Sequence, residues 1–121
     1  MDLGIQGKNA IVCASSRGLG RACAIALARE GVNVTINGRN EEAIQEVVGS
    51  CSKFGVNAQS VIGDITKEST RDSLLGACPA PDILITNNAG PPPGKIADWN
   101  YQAWIGALEA NMITHMLMIR A

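Results

Sequence analysis

Residues 13–20 read CASSRGLG, a run of small residues interrupted by one arginine. The run follows the apolar segment 10–14 and precedes the periodic apolar pattern of a helix. A glycine-rich turn between a strand and a helix leaves several backbone N–H groups unpaired, with the positive end of the helix dipole behind them. Small side chains also let a pyrophosphate approach the backbone. The sequence therefore predicts an anion-binding turn, made of Ala14, Ser15, Ser16, Arg17, Gly18, Leu19 and Gly20.

Apolar runs and helical periodicities alternate along the chain and place this turn between a strand and a helix. Such alternation predicts a parallel sheet with helices on both faces, because each crossover must be right-handed and pack back on the sheet. We therefore expect an α/β fold of the Rossmann type, a doubly wound parallel sheet of which residues 1–121 form the first half (β-α-β-α-β-α-β-α). The predicted strands are 10–14, 32–36, 56–62 and 83–86. The predicted helices begin near Leu19, Asn40, Thr66 and Asp98.

Apolar stripes predict which faces of the helices are buried. In the first helix the stripe comprises Leu19, Ala22, Cys23, Ala26 and Leu27. In the second helix, with Asn40 as N-cap, it comprises Ala43, Ile44, Val47, Val48 and Cys51. The last helix, within 101–121, is apolar nearly all the way round, which predicts a core helix, a subunit interface or both. We expect a homodimer or homotetramer through this helix.

Composition and charge restrict the classes of function. The chain has 121 residues, of which 46% are hydrophobic and 17% charged, which is typical of one globular domain. Its net charge is -1 and it has only two Trp, one Tyr and one Phe, so it lacks the basic surface and the stacking residues of a nucleic-acid binder. No apolar window has the length of a signal peptide or a membrane span, and we expect a cytoplasmic protein without membrane contact. The cysteine spacing predicts free core thiols and no metal site.

Three further motifs follow the turn at 13–20, namely Asp64 after the third strand, N-N-A-G at 87–90 and Asn111 in the last helix. In this order along the chain, the four motifs resemble those of the short-chain dehydrogenase/reductase family. The turn at 13–20 resembles the family's T-G-x-x-x-G-x-G turn, with Cys13 for threonine and Ala14 for the first glycine. It is not the G-x-G-x-x-G of other dinucleotide sites, because Cys23 stands at the third glycine. The resemblance covers essentially the whole chain and extends to members named as 3-oxoacyl-[acyl-carrier-protein] reductases. It implies hydride transfer between a nicotinamide cofactor and a carbonyl or alcohol substrate.

The end of the second strand bears on which nicotinamide cofactor would bind. NAD sites commonly place an acid about 20 residues beyond the glycine turn, where it accepts from the ribose 2′-hydroxyl. Here the sequence reads Asn37-Gly38-Arg39, without an acid. The resemblance implies that Gly38, Arg39 and Arg17 face one adenosine ribose, where two guanidinium groups fit around a 2′-phosphate. We therefore expect NADP(H), the alternative being that both arginines are ordinary surface charges.

Two further motifs each have a role implied by the resemblance and an alternative. Asp64, with Ile65 beside it, would accept a hydrogen bond from the adenine amino group, or Asp64 would cap the helix that follows. Asn88, Ala89 and Gly90 would line the ribose on the nicotinamide side, or they would form a plain turn.

Most catalytic residues of the family have no counterpart in the sequence. The family uses a tyrosine with a lysine four residues later, a serine and an asparagine, and the resemblance identifies only Asn111, as part of a proton relay. Tyr101 has Ile105 at the lysine position and receives no catalytic role. We expect residues 1–121 to be the NADP-binding half-domain of a longer protein, with the catalytic half outside this sequence. The alternative is a dinucleotide-binding or interaction module without catalysis of its own.

Overall fold

The computed structural model describes residues 1–121 and contains one sheet. Its strands are β1 (Asn9–Val12), β2 (Asn33–Gly38), β3 (Ala58–Ile62) and β4 (Ile83–Ile85). They lie in the order β3-β2-β1-β4, and every neighbouring pair is parallel. The predicted α/β fold of the Rossmann type is therefore confirmed.

Helices connect the strands and follow the last one. They are α1 (Gly18–Arg29), α2 (Glu41–Ser52), α3 (Glu68–Ala77), α4 (Tyr101–Leu108) and α5 (Thr114–Arg120). None of them combines the length and apolarity that crossing a lipid bilayer requires.

The last helical stretch is not the single helix from Asp98 onward that the sequence predicts. Ile96–Asp98 form a separate 3-10 turn, and α4 begins only at Tyr101. The later start has a local cause, because the Asn100 side chain accepts a backbone N–H of the first turn at 2.9 Å and acts as the N-cap. Between α4 and α5 the backbone is π-helical over Glu109–Ile113, a conformation that is frequent at functional sites.

Both faces of the sheet are covered, as a doubly wound fold requires. Side chains along a strand alternate between the two faces. Ala10 and Val12 of β1 pack with α1 and α2, whereas Ile11 and Cys13 belong to the cluster formed with α3 and α5. Full burial of an aliphatic side chain stabilises a fold by about 1.5–3 kcal/mol. The central strand β1 therefore anchors both layers of helices.

The buried face of α1 differs from the predicted stripe. Leu19, placed in that stripe, is 80% exposed, and the residues buried against the sheet are Gly20, Ala24 and Ala28. The reason is the short distance between α1 and the preceding turn. A Cβ at Gly20 would overlap the carbonyl oxygen of Ala14, so no side chain fits at this position.

The face of α2 and its N-cap are confirmed. Ile44, Val47 and Cys51 are fully buried. The side-chain oxygen of Asn40 accepts the Ala43 N–H at 2.9 Å.

The cysteines are core thiols, as predicted. All are free, and Cys13, Cys51 and Cys78 are buried. Burial raises the pKa of the Cys13 thiol to about 11 and also raises the pKa of Cys51. These thiols therefore stay protonated and pack as small apolar side chains.

Amide side chains join the amino ends of three neighbouring strand segments. Asn33 Nδ2 donates to Asn9 Oδ1 at 3.2 Å, and Asn33 Oδ1 accepts the Asn57 N–H at 3.0 Å. These bonds lie at the edge of the sheet opposite to the carboxyl ends of the strands.

Gly20→Ala is expected to destabilise the fold, because the new methyl group would meet backbone atoms of the turn and force α1 away from the sheet. Overpacking of this kind costs about 1–3 kcal/mol of unfolding free energy. The matched control is Gly49→Ala in α2, where a Cβ meets nothing within 4 Å. That change should stabilise the helix by about 0.5–1 kcal/mol. Urea denaturation measures both, and equal effects would refute the proposed role of Gly20.

Candidate functional site

A groove of about 980 Å³ runs along the carboxyl edge of the sheet. Residues at the carboxyl ends of all four strands line it, namely 14, 16–19, 37–40, 63–65 and 87–90, together with Ala43 of α2. The groove forms because parallel strands all end at one edge. The strand order reverses beside β1, where ligands bind in open α/β sheets.

Most residues predicted from the motifs meet in this groove. Ser15 and Gly20 do not line it, and Asn111 lies in an adjoining cavity. Ser15 is fully buried, with its hydroxyl 2.9 Å from the Val12 carbonyl oxygen, so its side chain serves the turn itself. The predicted residues that line the groove are Ala14, Ser16, Arg17, Gly18, Leu19, Gly38, Arg39, Asp64, Ile65, Asn88, Ala89 and Gly90.

Two arginines give one end of the groove its positive charge. Arg17 occupies the N-cap position of α1 with extended backbone, and Arg39 follows the last residue of β2. Both are exposed. The one ion pair of the chain joins Lys8 and Asp82, which leaves both guanidinium groups free to bind an anion. A planar guanidinium suits a phosphate through paired hydrogen bonds.

Asp64 adds a negative charge to the lining of the same groove. Its carboxylate accepts the Thr66 N–H at 2.9 Å and the Thr66 hydroxyl at 2.8 Å. These bonds, led by the one from the backbone N–H, lower the pKa of Asp64, and the positive charges of Arg39 and Lys67 lower it further. Asp64 is therefore an ionised acceptor at neutral pH. The alternative that it caps the next helix is wrong, because α3 begins after Lys67 and has no side-chain cap.

Ala14 keeps the turn in a conformation that usually belongs to glycine. Its φ is 46°, in the left-handed region, where a side chain is strained. Hydrogen bonds hold it there on both sides, since its N–H donates to Asn37 Oδ1 at 3.2 Å and its carbonyl accepts from Asn87 Nδ2 at 3.1 Å. Alanine at this motif position therefore holds a left-handed conformation at a cost in strain.

The segment after β4 is tied to the π-helical turn. Asn88 Nδ2 donates to the Ala110 carbonyl at 3.0 Å, next to Asn111. Asn111 is exposed, and its Nδ2 donates to the Ala107 carbonyl at 3.1 Å. This π-helical turn was not predicted, because the apolar periodicity of the sequence runs through it.

A second cavity of about 520 Å³ adjoins the groove at Ala89 and Gly90. Asn111, Trp99 and the segment 91–94 line it. Asn111 therefore lies in a cavity that meets the groove at Ala89 and Gly90.

Asn37 is a residue of this site that the motifs did not identify, and the same holds for Asn40, Ala43 and Gly63. Asn37 lines the groove, is 1% exposed, and bonds both to the glycine turn and to the end of β3. The sequence signal that could have identified it is an asparagine at the end of a predicted strand, directly before Gly38 and Arg39, because a buried amide there must find hydrogen-bond partners.

Residues 8–121 match the family model described as short chain dehydrogenase. The chain belongs to the short-chain dehydrogenase/reductase family. Among curated relatives, the uncharacterized oxidoreductase YvaG of Bacillus subtilis is 32% identical over 124 residues, which cover 99% of this chain and 46% of the relative. The 7alpha-hydroxysteroid dehydrogenase of Clostridium sardiniense is 39% identical over 90 residues, covering 71% of this chain and 34% of the relative.

Solved structures agree with this family membership. L-sorbose reductase from Gluconobacter frateurii, complexed with NADPH and L-sorbose, superposes with a TM-score of 0.91 at 27% sequence identity, covering 99% of this chain and 48% of that chain. A short-chain dehydrogenase/reductase from Caenorhabditis elegans with cofactor has a TM-score of 0.84 at 31% identity, covering 96% and 47%. This chain thus spans about half the length of the relatives and structures that it matches.

Ala14→Gly is expected to raise the free energy of unfolding by about 1 kcal/mol, because glycine adopts a positive φ without strain. Urea denaturation of the two proteins measures the difference. The matched control is Ala22→Gly on the exposed side of α1, which should lower stability by about 1 kcal/mol through lost helix propensity. A loss of stability in Ala14→Gly comparable to that in Ala22→Gly would contradict the strain at Ala14.

Proposed function

We propose that this chain binds NADP(H) in the groove and forms the cofactor-binding part of an oxidoreductase that transfers hydride between nicotinamide and a carbonyl or alcohol substrate. One observation carries the cofactor assignment. Arg17 and Arg39, both free of carboxylate partners, line the groove where β2 ends, and positions 37–39 at that strand end hold no acid. The solved relative that holds NADPH supports this choice.

The backbone around the arginines fits a close-lying nucleotide. A Cβ at Gly38 would lie 2.7 Å from Ile44 Cδ1 and 3.2 Å from Ser16 Cβ. Glycine therefore avoids a steric clash with these side chains at this position of the groove. Gly18, at the start of α1, has a φ of 60° and exposes its backbone to the groove. The amino end of α1 would then receive the pyrophosphate, and the two guanidinium groups the 2′-phosphate.

Asp64 and the segment after β4 would receive the two ends of the cofactor. Asp64, ionised and held by Thr66, would accept from the adenine amino group with Ile65 beside the ring. Asn88, Ala89 and Gly90 would line the ribose on the nicotinamide side. The bound cofactor supplies or takes up the hydride. Asn111, in the adjoining cavity, would belong to a proton relay.

The substrate class follows from the family rather than from the groove. The relatives are named for a steroid alcohol and a sugar, so we propose a small-molecule carbonyl or alcohol. The 3-oxoacyl substrates implied by the resemblance are not singled out among these relatives. The alternative of a binding module without catalysis is not favoured, because the matched relatives are oxidoreductases.

We expect the protein to form a dimer or tetramer through α4 and α5. This stretch exposes large apolar side chains that monomeric proteins usually cover. They are Tyr101, Trp104, Ile105, Leu108, Met112, Ile113, Met116 and Ile119. Light scattering on the protein at its native length should give at least twice the protomer mass. A monomer mass across the accessible concentration range would refute this association.

Arg39→Ala is expected to weaken NADPH binding by about ten- to a hundredfold, because a charged hydrogen bond is worth roughly 1.5–3 kcal/mol. NADH, which has no 2′-phosphate, should bind with little change. Titration of cofactor fluorescence measures both dissociation constants.

The matched control for this variant is Arg29→Ala. Arg29 lies over the Phe54 ring at 5.9 Å, outside the groove, so its removal changes the net charge equally without touching the site. NADPH affinity should stay within about twofold in this control. Equal losses of NADPH and NADH binding in Arg39→Ala would overturn the 2′-phosphate assignment.

A further inference from the structure

Asn37 is a buried polar residue at the carboxyl end of β2, immediately before Gly38 and Arg39. Only 1% of its surface is exposed, yet all its hydrogen-bonding groups have partners. A buried amide without partners would cost about 1–3 kcal/mol per unpaired group. The buried surroundings of Asn37 therefore provide a hydrogen-bond partner for each polar atom of its amide.

The bonds of the Asn37 side chain reach the two neighbouring segments of the groove. Oδ1 accepts the Ala14 N–H at 3.2 Å, in the glycine turn. Nδ2 donates to the Val61 carbonyl at 3.2 Å and to the Gly63 carbonyl at 3.1 Å, at the end of β3 and next to Asp64. One side chain thus joins the segments that follow β1 and β3.

The backbone of Asn37 strengthens the link to the glycine turn. Its carbonyl accepts the Ser15 N–H at 2.7 Å, and its N–H donates to the Ser15 hydroxyl at 3.2 Å. Arg39 lies two residues further on. The position of the Arg39 backbone relative to Arg17 in the turn therefore depends on this junction.

An amide of this length is the side chain that the junction requires. It must accept from one N–H and donate to two carbonyls. Aspartate offers no donor when ionised, a hydroxyl has only one hydrogen to donate, and glutamine is longer by one methylene. Leucine would have the size but would leave the Ala14 N–H and two carbonyls without these bonds.

We propose that Asn37 is a positioning residue for the cofactor, holding the glycine turn, Arg39 and Asp64 at the spacing that the adenosine half requires. This inference rests on the proposed function, since it concerns the same groove. Asn37 acts through its neighbours and needs no contact with the reacting atoms. Its loss should weaken binding of the adenosine half even where the fold is retained.

The test uses two variants, Asn37→Ala and Asn37→Ser, in the protein at its native length. Calorimetry measures binding of adenosine 2′,5′-bisphosphate, which is the phosphorylated adenosine half of NADPH, at a temperature where circular dichroism shows each variant folded. If Asn37→Ala does not fold, Asn37→Ser carries the test, because its smaller loss of volume leaves a smaller cavity. The expected result is an increase of about tenfold in the dissociation constant.

Asn33→Ala and Asn33→Ser are the matched controls. Asn33 lies on the same strand and also bonds to the neighbouring chain segments, but at the opposite edge of the sheet. Its variants should lose stability and retain affinity for the bisphosphate within about twofold. This comparison separates positioning of the site from general loosening of the sheet.

A double-mutant cycle with Arg39→Ala adds a readout that a merely structural role would not change. If Asn37 positions Arg39, substitution of Asn37 should weaken bisphosphate binding about threefold less in the Arg39→Ala protein than in the protein that retains Arg39. Additive effects in the cycle, or unchanged affinity in the Asn37 variants, would overturn the inference and leave the proposed function standing. Failure of the unsubstituted protein to bind the bisphosphate would overturn both.

Discussion

The close approach of α1 to the turn after β1 is the constraint on which the rest of the groove depends. Gly20 permits it, since a side chain there would meet the Ala14 carbonyl, and Ala14 accepts a left-handed φ to complete it. The approach directs the amino end of α1, with its unpaired N–H groups and positive dipole, toward the carboxyl edge of the sheet. Residues at the ends of β2, β3 and β4 then surround these N–H groups.

Charge is distributed along the groove in a way that matches an adenosine 2′-phosphate. Arg17 and Arg39 provide positive charge without carboxylate partners, whereas Asp64 remains ionised because Thr66 bonds to it. In the proposed complex with NADP(H), the positive and negative groups would bind different parts of one nucleotide, the 2′-phosphate and the adenine amino group. Asn37, bonded to both neighbouring segments, keeps these groups at a fixed spacing.

Sequence reasoning predicted the sheet and most of the groove because motif residues directly follow apolar strands, and parallel strands end at one edge. It placed Leu19 on the buried face of α1 because periodicity does not report how closely a helix approaches the sheet. It also missed the π-helical turn at 109–113, where Asn88 bonds to the Ala110 carbonyl, because the apolar periodicity continues through this segment. The junction at Asn37 escaped prediction because its partners are backbone groups of segments distant in sequence.

The decisive measurement is a crystal structure of the protein at its native length with NADP⁺. We expect the 2′-phosphate within hydrogen-bond distance of the guanidinium groups of Arg17 and Arg39, and the adenine amino group at the Asp64 carboxylate. A dinucleotide bound with its 2′-phosphate away from both arginines, or bound outside the groove, would contradict this expectation.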